Sequence, residues 1–470
     1  MRKILKEYQW DWQLWCALKS MEGMPRGTAN EIQTMLKFMP QDMQEQMEIA
    51  FSNGKPGELL RKASRQYFEN ILNAHKKDEK IALMTYNFSP TICFAMGINP
   101  LPLEMFSAAI HDVFGKGATG ESLDYCTEIG FPETACSGQR TGLGPILAGL
   151  TEKPDMVLYS TAGVCDSNAA AYAFAAEYLN LPGFQINYPP VLVSDETDEY
   201  QLNDFKAMLA FLEEQTGRSA DEEKFRQVCR EINEQDKLLT EIQDYYTIVP
   251  NPIPVASNIT LYFTHFFFKG LPIGSEIMRE MLNDAKENAK KGLSGSGCEK
   301  VRGLWNYIDH YSDNGRYHGE LAKRGIVNVG CMLSEFWQSD APISRGGKEA
   351  ECYGEIDLTD LDSMIFGLMG QTSRLPMVKQ IRGPYDEPAM WLEDTISAIK
   401  LFKAEFTVFM GTMGCRNTWG MVKPFARELE KAGIPTLILY SDSFDSRAES
   451  TEKMLDKTME FIEIRGLLNK

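Results

Sequence analysis

Three cysteines stand where a thiol could do chemistry, each in a short turn just ahead of a segment with helical spacing. Cys136 lies in Thr134-Ala135-Cys136-Ser137-Gly138-Gln139-Arg140, Cys165 in Val164-Cys165-Asp166-Ser167-Asn168, and Cys415 in Gly411-Thr412-Met413-Gly414-Cys415-Arg416. A helix N-terminus offers unpaired N–H groups and the positive end of the helix dipole, which favour a thiolate and suit it as a metal ligand. Nearby glycines let backbone amides approach a bound sulfur closely. The sequence contains no CxxC pair, which argues against a zinc ribbon or a ferredoxin-type cluster. Three thiolates from separate stretches would instead meet in a cleft, and three ligands leave one corner of a cubane open for a substrate. On spacing alone, three buried and unligated thiols are an equal alternative.

Strands and helices must hold those turns. Residues 156–160 form a short apolar run directly before Cys165, and residues 406–410 form another directly before Cys415. Further strands are expected at 81–85, 183–188, 325–330 and 436–440, with helices at 168–179 and 419–432. Strand, helix, strand in this order makes a βαβ unit with a buried parallel sheet. Cys165 and Cys415 thus hold equivalent positions in two similar units. The fold expected is α/β: two flavodoxin-like or Rossmann-like lobes with parallel sheets, a helical N-terminal segment and a helical insertion. The boundaries expected are 1–75 for the N-terminal segment, with breakers at 23–27 and 54–57; 76–195 for the first lobe, with Cys136 and Cys165; 196–300 for the insertion; and 301–470 for the second lobe, with Cys415. Ligands of such sheets sit beyond the C-terminal ends of the strands.

The 470 residues carry 48 Lys and Arg against 66 Asp and Glu, a net charge of −18. That balance excludes a general nucleic-acid binder or a protein of anionic membrane surfaces. With 43% hydrophobic residues the chain can build a large core, which excludes a disordered chain. Ten cysteines are too dilute for a disulfide scaffold,. No apolar run reaches the length of a membrane helix, and the charged start, Met1-Arg2-Lys3, lacks the features of a signal peptide,. A cytoplasmic location follows as the expectation.

The motifs around these cysteines, taken in order, resemble the 2-hydroxyacyl-CoA dehydratase and benzoyl-CoA reductase family. They are Ala95-Met96-Gly97-Ile98-Asn99-Pro100-Leu101, Ile129-Gly130-Phe131, Cys136 to Arg140, Lys153-Pro154-Asp155, Cys165-Asp166, Leu181-Pro182, Tyr188-Pro189, Cys415-Arg416, Gly433-Ile434-Pro435 and the closing Ser441-Asp442-Ser443-Phe444-Asp445-Ser446-Arg447. The resemblance implies a large subunit in which Cys136, Cys165 and Cys415 hold a 4Fe-4S cluster. It implies a CoA-thioester substrate and a related second large subunit or a second copy as partner. It also implies a separate ATP-hydrolysing iron–sulfur activator that supplies one low-potential electron. The activity implied is that of an (R)-2-hydroxyacyl-CoA dehydratase, eliminating water through a ketyl radical. A benzoyl-CoA reductase-type subunit or a double-cubane-cluster reductase is the alternative within the family. A metal-free binding or assembly partner of the same fold is the alternative outside it.

Other residues carry weaker signals. Tyr86 and Ser89 follow the first strand and are candidates at the substrate mouth. Arg140 and Arg416 follow ligand cysteines and are candidates for tuning cluster charge or binding the thioester's anionic carrier, with helix-surface ion pairing as the plainer reading. Cys126 reads as a buried thiol. Cys331 and Cys352 are candidates for a fourth ligand, with an unligated core position as the stronger reading. His310 and His318 read as structural. Asp442, Asp445 and Arg447 read as fixing the last turn by hydrogen bonds.

Overall fold

The computed structural model describes residues 54–85, 90–161, 165–188, 195–306, 311–331, 355–373, 390–415 and 419–469. Most of the 1–75 segment therefore lies outside the described residues. The part described is a helix, α1 (Gly54–Asn73), which begins at the glycine and proline expected to break it. Proline is tolerated there because the N–H groups of a first helical turn have no intrahelical partner to lose.

The first sheet is built from β1 (Ile81–Met84), α2 (Thr91–Met96), β2 (Asn99–Pro102), α3 (Leu103–Glu128), α4 (Ser137–Leu147), β3 (Met156–Ser160), α5 (Asp166–Leu179) and β4 (Gly183–Ile186). Its strand order is β2-β1-β3-β4 and every pairing is parallel. β1 and β3 are apolar because helices cover both faces of the sheet,. β2 has no strand signal in the sequence, since Pro100 and Pro102 read as breakers. As an edge strand it needs donors on one side only, which is where a sheet tolerates proline,.

Four helices follow: α6 (Asp195–Thr216), α7 (Glu222–Tyr246), α8 (Ala256–Phe267) and α9 (Pro272–Lys291). The Asp221 carboxylate caps α7 by accepting from the N–H groups of Glu223 and Lys224,. Gly292, at φ 65°, ends α9 in the left-handed conformation that glycine adopts without strain,. The strongly apolar run 261–268 lies within and just past α8 and is almost wholly buried. α1 packs against α9, α8 and β2, so the N-terminal helix joins this helical layer to the first sheet.

The second sheet comprises β5 (Val301–Asn306), α10 (Asn314–Lys323), β6 (Ile326–Cys331), α11 (Leu361–Ser373), α12 (Met390–Leu401), β7 (Phe406–Thr412), α13 (Val422–Lys431) and β8 (Thr436–Ser441), with α14 (Thr451–Ile464) closing the chain. Its order, β6-β5-β7-β8, repeats that of the first sheet strand for strand. β5 also escapes a reading by sequence, because Arg302 and Gly303 interrupt its apolar run. The fold accommodates both. Arg302 is buried and donates to the carbonyls of Phe402, Ile248 and Tyr246 and to Glu299. Gly303 lies so close to the Phe406 ring that a Cβ would come within 2.4 Å of it.

One continuous apolar core joins the first lobe, the helical layer and one face of the second sheet. A smaller core fills the opposite face of that sheet, beneath α10 and α14. Among the described residues no helix is long and apolar enough to cross a membrane.

Candidate metal centre between the lobes

In each sheet the chain runs outward from the first central strand to one edge and then crosses to the other side. The order therefore reverses between β1 and β3, and again between β5 and β7. The crevice at such a reversal, beyond the C-terminal strand ends, is where open α/β sheets bind ligands. Cys165 follows β3 and occupies the N-cap position of α5, with an extended backbone. Cys415 follows β7, its N–H donating to the Thr412 carbonyl at 2.8 Å. Cys136 occupies the N-cap position of α4. Both sulfurs stand at the start of their helices, within the field of first-turn N–H groups, Gly138 for Cys136 and Asn168 for Cys165.

The two cysteine-bearing turns of the first lobe are tied together by side chains. The Ser167 hydroxyl accepts from the Cys136 N–H at 3.0 Å and donates to the Gln139 amide oxygen at 2.9 Å. Gln139 donates to Asn168 at 2.9 Å, and Asn168 donates to the Thr85 hydroxyl at the end of β1 at 2.6 Å. All four side chains are buried, and a satisfied buried network of this kind fixes position,.

The second lobe closes on Cys136 from two sides. Gly414 lies against its backbone so closely that a Cβ would come within 2.7 Å of the Cys136 Cα. The Phe444 ring packs on Gly138, where a Cβ would stand 3.1 Å from the ring and 3.6 Å from the Cys136 sulfur. The Asp442 carboxylate accepts from the Ser137 hydroxyl, joining the end of β8 to the start of α4. Beyond Phe444, the rings of Tyr311 and Tyr262 continue a stack with centroids 5.7 and 4.9 Å apart.

The three thiols share one electrostatic environment. Desolvation pushes the Cys136 thiol well above its usual range, and negative charge at Cys415, Cys165 and Asp442 pushes it further, against the Gly138 N–H. Desolvation likewise pushes Cys165 up to about 12, with Cys415 and, more weakly, Asp166 and Glu104 acting in the same direction. Tyr172, wholly buried and donating to the Met84 carbonyl at 2.6 Å, lies within the field of Cys136 and Cys165. Burial and the neighbouring sulfurs thus disfavour the thiolates of Cys136 and Cys165, a cost that a bound cation would offset,.

This donor set suits an iron–sulfur cluster. It consists of soft sulfur ligands from three turns, with glycines near Cys136 and Cys415,. Among the described residues no group of three or more His, Cys, Asp or Glu side chains closes around a single metal ion. A cubane offers a different iron to each thiolate, so its ligands stand further apart than those of one ion.

The other singled-out residues fall differently. Tyr86, Ser89, Arg416, His310 and Cys352 lie outside the described residues. Arg140 is buried and donates to the carbonyls of Ala135, Glu133 and Leu123 and to the Thr127 hydroxyl. It clamps the loop ahead of Cys136 onto α3, a role that replaces the surface ion pair of the plainer reading. Cys126 is a buried thiol that donates to the Arg140 carbonyl at 3.2 Å. Cys331 ends β6 within the core. His318 is buried edge-on against Trp305, with ring centroids 4.8 Å apart. Asp445 and Arg447 pair with each other, and Arg447 also reaches Asp124 at 3.0 Å.

Sequence reasoning misses the Ser137–Asp442 bridge and the contact of Gly414 with Cys136. The one available signal is position: both second-lobe residues follow the C-terminal end of a strand, β8 or β7.

Residues 85–464 match the family model described as 2-hydroxyglutaryl-CoA dehydratase, D-component. The chain is also similar to the (R)-phenyllactyl-CoA dehydratase alpha subunit of Clostridium sporogenes, with 24% identity over 409 residues, covering 84% of this chain and 91% of that protein.

Proposed function

The chain belongs to the 2-hydroxyglutaryl-CoA dehydratase D-component family, and from that premise we propose that it is the iron–sulfur subunit of an ATP-activated (R)-2-hydroxyacyl-CoA dehydratase. Cys136, Cys165 and Cys415 would hold a 4Fe-4S cluster. The observation that carries this reading is the convergence of three thiols from two lobes, two of them, Cys165 and Cys415, at equivalent topological positions. Bound there, the cluster would supply a single low-potential electron to the thioester, making loss of the hydroxyl on the α carbon, together with a β-proton, as water feasible by way of a ketyl radical.

The residues of this chain would contribute in three ways. The Ser167–Gln139–Asn168 network and the Arg140 clamp hold the ligand turns in place before a cluster arrives,. Tyr172, Phe444 and the buried face of α4 keep water away from the ligands,. The crevice beyond β1 and β3 is the place where the CoA thioester would approach.

The partners in this reading are a related second large subunit and a separate ATP-hydrolysing activator. The subunit designation of the Clostridium sporogenes relative supports the former. That relative also favours dehydration over ring reduction as the reaction. The test is anaerobic purification with iron and acid-labile sulfide analysis, followed by assay of 2-hydroxyacyl-CoA thioesters with a matched activator. About four iron per chain and thioester-dependent water loss are expected. A chain that takes up neither iron nor sulfide on reconstitution would refute the reading.

A further inference from the structure

We propose that Asp442 is a positioning residue for the cluster ligand Cys136, acting through the Ser137 hydroxyl; this rests on the cluster reading above. The carboxylate stands immediately after β8 in the second lobe and is almost fully buried, as is Ser137 in the first. Its Oδ1 accepts from the Ser137 hydroxyl, from the Phe444 N–H at 3.0 Å and from the Asp445 N–H at 2.9 Å. Two of these donors shape the turn on which Asp442 sits. The third belongs to the residue bonded to Cys136.

Burying a carboxylate is costly, and a turn alone does not require it. The exposed side of this turn is already braced by Asp445, which accepts from both the backbone and the guanidinium of Arg447. The Asp442 contact is therefore directed at the first lobe. It acts together with two neighbours: Gly414 abuts the Cys136 backbone, and Phe444, two residues from Asp442, covers Gly138. Cys136 is thus placed as much by the second lobe as by its own. A ligand held across a lobe boundary ties the geometry of the cluster to the relative placement of the lobes.

Four variants of the full chain test this: Asp442→Ala, Ser137→Ala, the two combined, and Asp442→Asn. The Asn side chain keeps an acceptor for the Ser137 hydroxyl, so it should rescue what Ala loses. In the anaerobically reconstituted protein, Asp442→Ala and Ser137→Ala should each shift the reduction potential and the EPR line shape of the cluster. The double alanine variant should do no more than either single one, and Asp442→Asn should keep the wild-type line shape. In the metal-free chain, Cys136 should be alkylated several-fold faster in the two alanine variants, read by peptide mass spectrometry against Cys165 as internal reference. Wild-type potential, line shape and Cys136 labelling in Asp442→Ala would overturn the proposal. If the wild-type chain takes up no cluster, the cluster reading fails, and the labelling comparison still decides whether Asp442 positions Cys136.

Discussion

Cys136, Cys165 and Cys415 differ from the remaining described cysteines in what surrounds them. Cys93, Cys126 and Cys229 are also desolvated, with thiols pushed up to about 12, but no other cysteine contributes to those shifts. Among the candidate ligands, Cys415 raises both Cys136 and Cys165, and Cys165 raises Cys136. Cys165→Ser should therefore lower iron and sulfide content sharply while leaving the fold intact, whereas Cys229→Ser should leave both at the wild-type level. Chemical analysis beside circular dichroism separates these outcomes. Arg140 makes a different prediction. Replacing it by Met leaves buried carbonyls without their donors, so Arg140→Met should cost about 2–4 kcal/mol in urea denaturation and should also lower cluster content through the Cys136 loop.

The strands at 156–160, 406–410 and 436–440 can be read from the sequence because they are apolar runs ahead of turns, and the structure places strands on each. β2 and β5 cannot, because a proline-bearing edge and a buried arginine become intelligible only through their neighbours. At the start of β3, Asp155 joins three elements. It accepts from the Ile81 N–H at 2.8 Å, from Lys80 at 3.1 Å and from His75. Burial alone would raise its carboxyl, but these donors prevail and hold it below the usual carboxylate range. A carboxylate depressed by folding adds stability above its unfolded pKa of about 3.9 and loses it as pH falls through the folded value. Asp155→Asn should thus be about 1–2 kcal/mol less stable than wild type at pH 7. The gap should shrink as pH falls below about 3.9, as urea titrations across that range would measure.

The two lobes form a single unit for the site. The cross-lobe contacts include the Ser137–Asp442 bridge, Gly414 against Cys136, Phe444 on Gly138, Arg447 to Asp124, and Lys116 to Asp313 at 3.3 Å. Gly414→Ala places a methyl group inside backbone contact distance of Cys136. It should destabilise the chain by about 1–3 kcal/mol and reduce cluster uptake, even though residue 414 is not a ligand. Thermal denaturation and iron analysis check the two effects. The sequence by itself determined the α/β class and singled out three pre-helical cysteines, because hydrophobic period and the residue types around a turn are local properties. Its order of motifs pointed to the family. Only the tertiary structure decided that Arg140 clamps a loop, that Asp442 reaches the other lobe, and that two sheets of identical strand order bring their reversal points together. Those facts depend on contacts between residues as much as 305 positions apart, and no local pattern encodes which buried donor will meet which buried acceptor.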